Sequence, residues 1–184
     1  MAAQANLKST AITHWDAQPI VVPTAGADGG AGLLYEVVGI AGPTTDGATT
    51  GGILRMVRVP SNAIIRRIYV VQKAATTTAS FKVGFYYSDS TTDGTGFLNT
   101  GLVVHDDFFN ASLDTHALTA WTDTTFLNTS GYLPTDSVLP LWNATNSGLT
   151  SDPGGKFDLT MTNTATISGA ATLLMRVQFV IAAV

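Results

Sequence analysis

Residues 53–89 constrain the fold more than any other stretch, because they hold three strand patterns and two turn signals in succession. Segments 53–59 and 63–73 are rich in β-branched residues, and the prolyl turn at 60–62 separates them, since proline cannot donate to a strand ladder. Residues 81–87 alternate with period two, and one face consists of Phe81, Val83, Phe85 and Tyr87. This succession predicts antiparallel β structure.

Further strands are predicted on both sides of this block. Residues 33–40 form the first strand of the chain. After the proline–glycine turn at 151–155, Phe157, Leu159 and Met161 share one face of another strand. Residues 171–182 form a long final strand that is apolar on both faces, apart from Arg176 and Gln178.

The stretch 102–127 is less regular. Residues 102–104 and 122–127 favour short strands. Between them, a spacing of four permits a helical turn instead, formed by Phe109, Leu113, Ala117 and Trp121. One short helix is expected after Pro140. The total is seven to nine strands with no long helix.

Composition supports a single all-β domain. The chain has 184 residues, 12% charged side chains, 18 Gly and 7 Pro, and Glu36 is its one glutamate. Low Glu and Lys with abundant Thr, Val and Ile disfavour helices. A β-sandwich or barrel with many turns is therefore the expected architecture.

Charge and cysteine content exclude several partners. The net charge of -4 argues against nucleic acid, because such a partner needs a concentrated positive surface. No cysteine is present, so disulfides and thiolate metal sites are excluded. No apolar run is long enough to span a membrane, and no signal peptide is recognised at the N-terminus. The positive mean hydropathy of +0.24 favours an apolar surface that a partner covers.

Residues 1–32 are predicted to be an arm that precedes a domain at 33–184. Polar and small residues dominate the arm, and its last seven residues are a glycine-rich run. Trp15 and the apolar patch Ile20, Val21 and Val22 interrupt this pattern. Two interpretations stay open, a mobile arm that docks on a neighbour and a loosely tethered edge strand. In either case these four residues are candidate partner contacts.

The basic residues of the 53–89 block are the other candidate contacts. Six of the nine Lys and Arg residues lie there, and the predicted contacts are Arg55, Arg58, Arg66 and Arg67. Arg66 and Arg67 are adjacent on a strand, so they should point to opposite faces. These arginines fit an ion-pairing surface for an acidic protein partner. The alternative is a set of edge charges that deters strand addition.

No pattern predicts an enzyme, a metal site or a cofactor. His105, Asp106 and Asp107 together with His116 could hold a divalent ion if the fold joined them, but their spacing matches no named site. Residues 89–94 imitate part of a calcium loop and lack its final bidentate glutamate. No nucleophile elbow occurs. An enzyme built around His105 and His116 is the least favoured hypothesis.

Three tryptophans leave room for a glycan-binding function. Trp15, Trp121 and Trp142 could form a stacking platform on a lectin-like sandwich of a head or tail fibre. More often, one or two of three tryptophans lie in a core and another lies at an interface.

The order of several short motifs resembles the capsid-associated structural proteins of tailed phages, which include the jelly-roll cement protein of a Bordetella phage. The matching stretches are LRMVRVPSN at 54–62, VGFYY at 83–87, DDFF at 106–109, LW at 141–142, LTSDPGGKFD at 149–158 and LMRVQF at 174–179. The resemblance covers about residues 33–184. The arm that precedes it is longer than the family leads one to expect.

This resemblance implies both a fold and a function. The fold would be a jelly-roll-like antiparallel β-sandwich of about eight strands with an extended N-terminal arm. The protein, made in the host cytoplasm, would sit on the outer capsid surface of the virion and clamp neighbouring major capsid protein subunits. A homo-oligomer is expected, and closed symmetry favours a dimer. The family carries no catalytic residues to transfer.

Overall fold

The computed structural model describes residues 33–41, 51–73, 80–88, 103–116, 118–127, 131–165 and 171–182. These residues form eight strands and two short 3₁₀ turns. The strands are β1 Tyr35–Ala41, β2 Ile53–Pro60, β3 Ala63–Lys73, β4 Ser80–Tyr87, β5 Val103–Asp114, β6 Thr122–Asp123, β7 Lys156–Asn163 and β8 Thr172–Ile181; the 3₁₀ turns are Pro134–Val138 and Leu141–Asn143. No helix in the described part of the chain is long and apolar enough to cross a membrane.

The strands form two antiparallel sheets of four strands, in the orders β1-β8-β3-β6 and β2-β7-β4-β5. The first strand pairs with the last, the second with the seventh, the third with the sixth and the fourth with the fifth. Such nested pairs, rolled into two facing sheets, are the arrangement of a jelly roll. The predicted all-β, jelly-roll-like sandwich of about eight strands is confirmed.

The core lies between the two sheets. β8 shows most simply how the core forms, because alternate residues of this strand are buried and its other side chains point outward. The inward set is Leu173, Met175, Val177 and Phe179. Aromatic rings fill the other half, with centroids 5.0–5.1 Å apart between neighbours, and comprise Phe85, Phe108, Phe109, Phe157 and Tyr132. Several of these pairs meet edge to face, as aromatic quadrupoles prefer.

Two glycines permit close approaches between strands. A Cβ on Gly39 of β1 would lie 1.9 Å from the carbonyl oxygen of Met56, so only glycine lets β1 lie against β2. A Cβ on Gly84 of β4 would lie 2.1 Å from the carbonyl oxygen of His105 in β5. The first approach brings the two sheets together at one corner, and the second lets β5 cross closely over β4.

The segment before β7 is fixed by buried polar groups. The carboxylate of Asp136 accepts hydrogen bonds from the backbone of Leu133 at 2.8 Å and from the hydroxyl of Thr145 at 2.6 Å. The buried hydroxyl of Tyr132 donates to the carbonyl oxygen of Ile65 at 2.6 Å. Burial raises the pKa of Tyr132, which keeps this hydroxyl protonated as a donor. The 3₁₀ turn at Leu141–Asn143 confirms the short helix expected after Pro140.

Two local patterns differ from the structure or were left open by the sequence. In the ambiguous stretch after residue 105, β5 is one strand of 12 residues, so Phe109 and Leu113 lie in a strand and not in the helical turn that the spacing of four permitted. Adjacent Phe108 and Phe109 are both fully buried, and several register shifts against β4 accommodate them, so tertiary packing overrides the local pattern. β6 has two residues where 122–127 was predicted. After it, the backbone N–H and the hydroxyl of Thr124 both donate to the carbonyl oxygen of Ile68. The N–H of Ile68 donates to the hydroxyl of Thr125 and not to a backbone carbonyl oxygen, so the ladder ends there.

Candidate functional site

Arg55 and Arg58 of β2 hold one carboxylate between them. Asp158 of β7 accepts from Arg55 Nη1 at 2.5 Å and, in a bidentate pair, from Arg58 Nε at 2.6 Å and Nη2 at 3.0 Å. The three side chains meet because β2 pairs with β7, with Arg58 directly opposite Asp158. A shallow groove opens here, lined by Arg55, Met56, Val57, Arg58 and Asp158.

The two arginines keep Asp158 ionised, and this sets the net charge of the three side chains. Burial alone would raise the pKa of Asp158, but the hydrogen bonds from Arg58 and Arg55 outweigh it and hold that pKa below its usual value. Asp158 is therefore ionised at neutral pH. Two guanidinium groups face one carboxylate, so these three side chains carry one net positive charge.

Arg66 and Arg67 lie at a β-bulge in β3, between Ile65 and Arg67. The bulge interrupts the two-residue period that their predicted opposite orientation assumed. Arg66 Nη1 donates to the carbonyl oxygen of Ser137 at 2.6 Å. Arg67 pairs with Asp123 at 3.0 Å, and its guanidinium carbon lies 5.8 Å from the ring centroid of Phe126. All four predicted arginines thus have contacts within the chain, and their contact with a partner stays a prediction.

The predicted contacts of the arm lie outside the described residues. They are Trp15, Ile20, Val21 and Val22. Their docking, and the division of the chain at residue 32, also stay predictions.

The histidine–aspartate cluster is only partly brought together. His105 Nδ1 lies 3.0 Å from Asp107 Oδ1, while Asp106 pairs with Lys82 at 2.8 Å. His116 is exposed beyond the end of β5, where its backbone N–H donates to Asp114. Within the described ranges, no three His, Asp or Glu side chains are arranged to hold a metal ion.

The outer face of the β1-β8-β3-β6 sheet is a surface that the sequence did not reveal. Register places three rows of outward side chains side by side, Glu36, Val38 and Ile40 on β1, Gln178, Arg176 and Leu174 on β8, and Arg67, Tyr69 and Val71 on β3. Val38 is 48% exposed and Ile40 is 68% exposed. Leu33 and Leu34, just before β1, are exposed as well. This edge is therefore apolar and open.

Arg176 occupies the middle of that face. Its guanidinium carbon lies 4.5 Å from the ring centroid of Tyr69 and 4.9 Å from that of Trp121. Trp121 is 39% exposed, whereas Trp142 is half-buried against the core. We call these three side chains, Arg176, Tyr69 and Trp121, the Arg176 clamp. The pattern of β8 signals an outward arginine, but not which rings surround it, because they come from two other segments.

No family model matches the chain, and no curated protein matches it. Solved structures similar to it include "Capsid of Ralstonia phage GP4", at 13% identity over 84% of this chain and 88% of that one, with a TM-score of 0.49. "Cyanophage Pam1 capsid asymmetric unit" has 12% identity over 98% and 96%, with a TM-score of 0.43. "Acidic stable capsid structure of Helicobacter pylori bacteriophage KHP30" has 14% identity over 82% and 90%, with a TM-score of 0.37. All three titles name phage capsids, and at these values the likeness carries no argument about function.

Proposed function

We propose that this chain is a non-enzymatic cement or decoration protein of a tailed bacteriophage. It binds the outside of the assembled capsid and clamps neighbouring major capsid protein subunits. The observation that carries the proposal is the exposed apolar edge of β1, with Val38 and Ile40 open on the outer face of its sheet. An apolar surface of this kind, on a fold fixed by a continuous core, favours a partner that covers it.

The motifs that resemble capsid-associated proteins support the same reading. They fall on β2, β4, β5 and β8, on the turn that leads into β7, and on the 3₁₀ turn at Leu141–Asn143. Most of these elements build the two sheets, so the resemblance concerns the scaffold.

Such a protein stabilises the lattice by mass action. A module that binds the assembled shell and not its free subunits adds its binding free energy to the assembled state. About 3–5 kcal/mol per junction, modest for a protein interface, would matter when repeated over a shell. In this account the sheets are a rigid spacer, and the arm, the loops and the exposed faces make the contacts. Arg55, Arg58, Arg66 and Arg67 at the rims then meet acidic groups of the shell.

Binding to shells that lack this chain tests the proposal. Purified protein should co-sediment with expanded shells of the phage that encodes it, and should raise the temperature at which those shells come apart. Unassembled capsid subunits are the control and should bind weakly. Absence of binding to expanded shells would falsify the cement function.

Deletion of residues 1–30 tests the arm separately. We expect the truncated protein to occupy fewer sites on shells at the same concentration, because Trp15, Ile20, Val21 and Val22 are lost. Its unfolding midpoint should match that of the full chain, which shows that the domain still folds. Unchanged occupancy would mean that the arm does not dock.

A lectin-like module of a head or tail fibre is the second candidate, and the exposed ring of Trp121 favours it. A sugar would stack on that ring, although the guanidinium of Arg176 already lies 4.9 Å from its centroid. Glycan-array binding by the purified protein, lost in Trp121→Ala, would support this candidate over cement function.

A further inference from the structure

We propose that the Arg176 clamp is the receptor for an acidic side chain of the capsid shell. An aspartate or glutamate of the shell would pair with the guanidinium of Arg176 while apolar residues beside it cover the exposed edge of β1. The inference rests on the proposed function, and it identifies the chemistry of the contact.

Arg176 lies in the interior of its sheet face. Arg176 lies on β8, the second strand of its sheet, directly between Val38 of β1 and Tyr69 of β3. It therefore stands inside the face and not at its rim. A long cationic side chain inside an apolar sheet face is desolvated on docking, which is where a charge pair affects affinity most.

The charge of Arg176 has no counter-ion in the described part of the chain. The nearest acidic residues along the neighbouring strands are engaged elsewhere, since Glu36 accepts from Gln178 at 2.8 Å and Asp123 pairs with Arg67 at 3.0 Å. Arg176 Nε is buried without a hydrogen-bond partner. Because Nε is shielded, a partner would reach the terminal Nη atoms, which are not among the buried unpaired atoms of the described residues. The arginines of β2 differ, because Asp158 neutralises part of their charge.

Aromatic contacts hold the guanidinium in place before any partner binds. The rings of Tyr69 and Trp121 lie within cation–π distance of its carbon. Contacts of this kind leave the edge formed by Nη1 and Nη2 as the direction for an acceptor, and a carboxylate matches that edge with two parallel hydrogen bonds. Because the side chain is already ordered, less entropy is lost when the pair forms.

The surroundings resemble the centre of a protein interface. Trp, Tyr and Arg are the residues that most often dominate binding energy, and here one of each is in contact. Val38, Ile40 and Trp121 are 48%, 68% and 39% exposed around the guanidinium. Apolar residues of a partner could cover them and exclude water from the ion pair. A single arginine in a chain of net charge -4 does not suit a nucleic acid backbone.

The test compares Arg176→Met and Arg176→Lys with the wild type in co-sedimentation with expanded shells. Lys73→Met is the matched control, because Lys73 is an exposed cation of β3 on the same sheet. We expect Arg176→Met to raise the apparent Kd at least tenfold, Arg176→Lys to raise it several-fold because the planar fork is lost, and Lys73→Met to stay within twofold. Affinity of the wild type should fall as salt rises from about 50 to about 300 mM, and that of Arg176→Met should fall less.

Each other outcome is decisive. If Arg176→Met unfolds at the temperature of the wild type and both Arg176 variants bind shells within twofold of it, the clamp is not a receptor and the cement function stands. Should Arg176→Met fail to fold, the shell affinity of Arg176→Lys and the salt dependence of wild-type binding decide whether the clamp is a receptor. If the wild type binds no shells, the proposed function and this inference fall together. Binding of acidic glycans through Arg176, with shell affinity unchanged, would overturn the assignment of a protein carboxylate.

Discussion

Single arginines on the two sheets differ in whether the chain supplies a counter-ion. Arg55 and Arg58 share the buried carboxylate of Asp158, whereas Arg176 contacts two aromatic rings and has no acceptor among the described residues. Asp158 thus balances part of the charge of Arg55 and Arg58 within the chain. The charge of Arg176 has no such balance among the described residues, and we propose that a carboxylate of the partner provides it.

Asp158→Asn should destabilise the fold, because it leaves two guanidinium groups around a neutral amide. Asp158 is 3% exposed in its side chain, but Arg55 and Arg58 retain 33% and 42% exposure. We therefore expect a loss of about 2 kcal/mol in the free energy of unfolding, below the usual cost of breaking a fully buried pair. Urea denaturation at neutral pH measures it. Asp106→Asn, which breaks a half-exposed pair with Lys82, is the control and should cost at most about 1 kcal/mol.

The stabilisation that Asp158 provides should also depend on pH. The pKa of Asp158 is depressed in the folded state. The contribution of Asp158 to the free energy of unfolding is therefore complete above its unfolded-state pKa of about 4, and it is lost as pH falls through its folded-state pKa. The difference in unfolding free energy between wild type and Asp158→Asn should be constant from neutral pH down to about pH 4, and should shrink below it. A difference that stays constant in acid would contradict this account of the ion pair.

Among the elements, β1 combines an exposed outer face with a close approach to the other sheet. Its burial pattern shows a single buried position, Gly39, and there the chain lies against the backbone of Met56. The other side chains of the strand are exposed or half-buried. Pairing with β8 and the inward side chains Val37 and Ala41 hold this strand in place, while its outer face stays exposed.

Gly39→Ala should separate β1 from β2. The added Cβ would lie 1.9 Å from the carbonyl oxygen of Met56, so backbone and not a flexible side chain must move. We expect a loss of about 3 kcal/mol in the free energy of unfolding, the upper range for overpacking. Gly51→Ala is the control: its φ of 91° is unfavourable for alanine, but no atom lies within 4 Å of the added Cβ. It should cost about 1 kcal/mol, and an equal cost at both positions would argue against crowding at Gly39.

The strands differ in how well sequence predicts them, for physical reasons. β3 was predicted at its observed bounds, and β2, β4 and β8 within a residue or so at either end, because β-branched runs and turn residues delimit them. β5 was not, since Phe108 and Phe109 are both buried only through its irregular pairing with β4. Local periodicity cannot report such pairing. β6 is short because the N–H of Ile68 donates to the hydroxyl of Thr125 and not to a backbone carbonyl oxygen, a contact that composition does not reveal.

Over the whole molecule, the nested strand order and the Arg176 clamp both depend on contacts between distant parts of the chain. β1 and β8 are the two ends of the described domain and pair directly. Sequence patterns predicted a sandwich, and the resemblance added the jelly roll, but neither predicted which side chains meet on an outer face. The arginines of β2 and β3 were visible in the sequence as a basic group, but the pairing of Asp158 with the two β2 arginines was not.

We propose that the molecule is a rigid two-sheet scaffold that presents one open apolar face, with a cation at its centre, to a capsid shell. The most direct test is a cryo-EM reconstruction of virions whose genome encodes this chain. We predict density for the jelly roll on the outside of the shell, bridging adjacent major capsid protein subunits, with the β1-β8-β3-β6 sheet facing them. Virions with no such density on the exterior, or with this chain found in a tail fibre instead, would contradict the cement function.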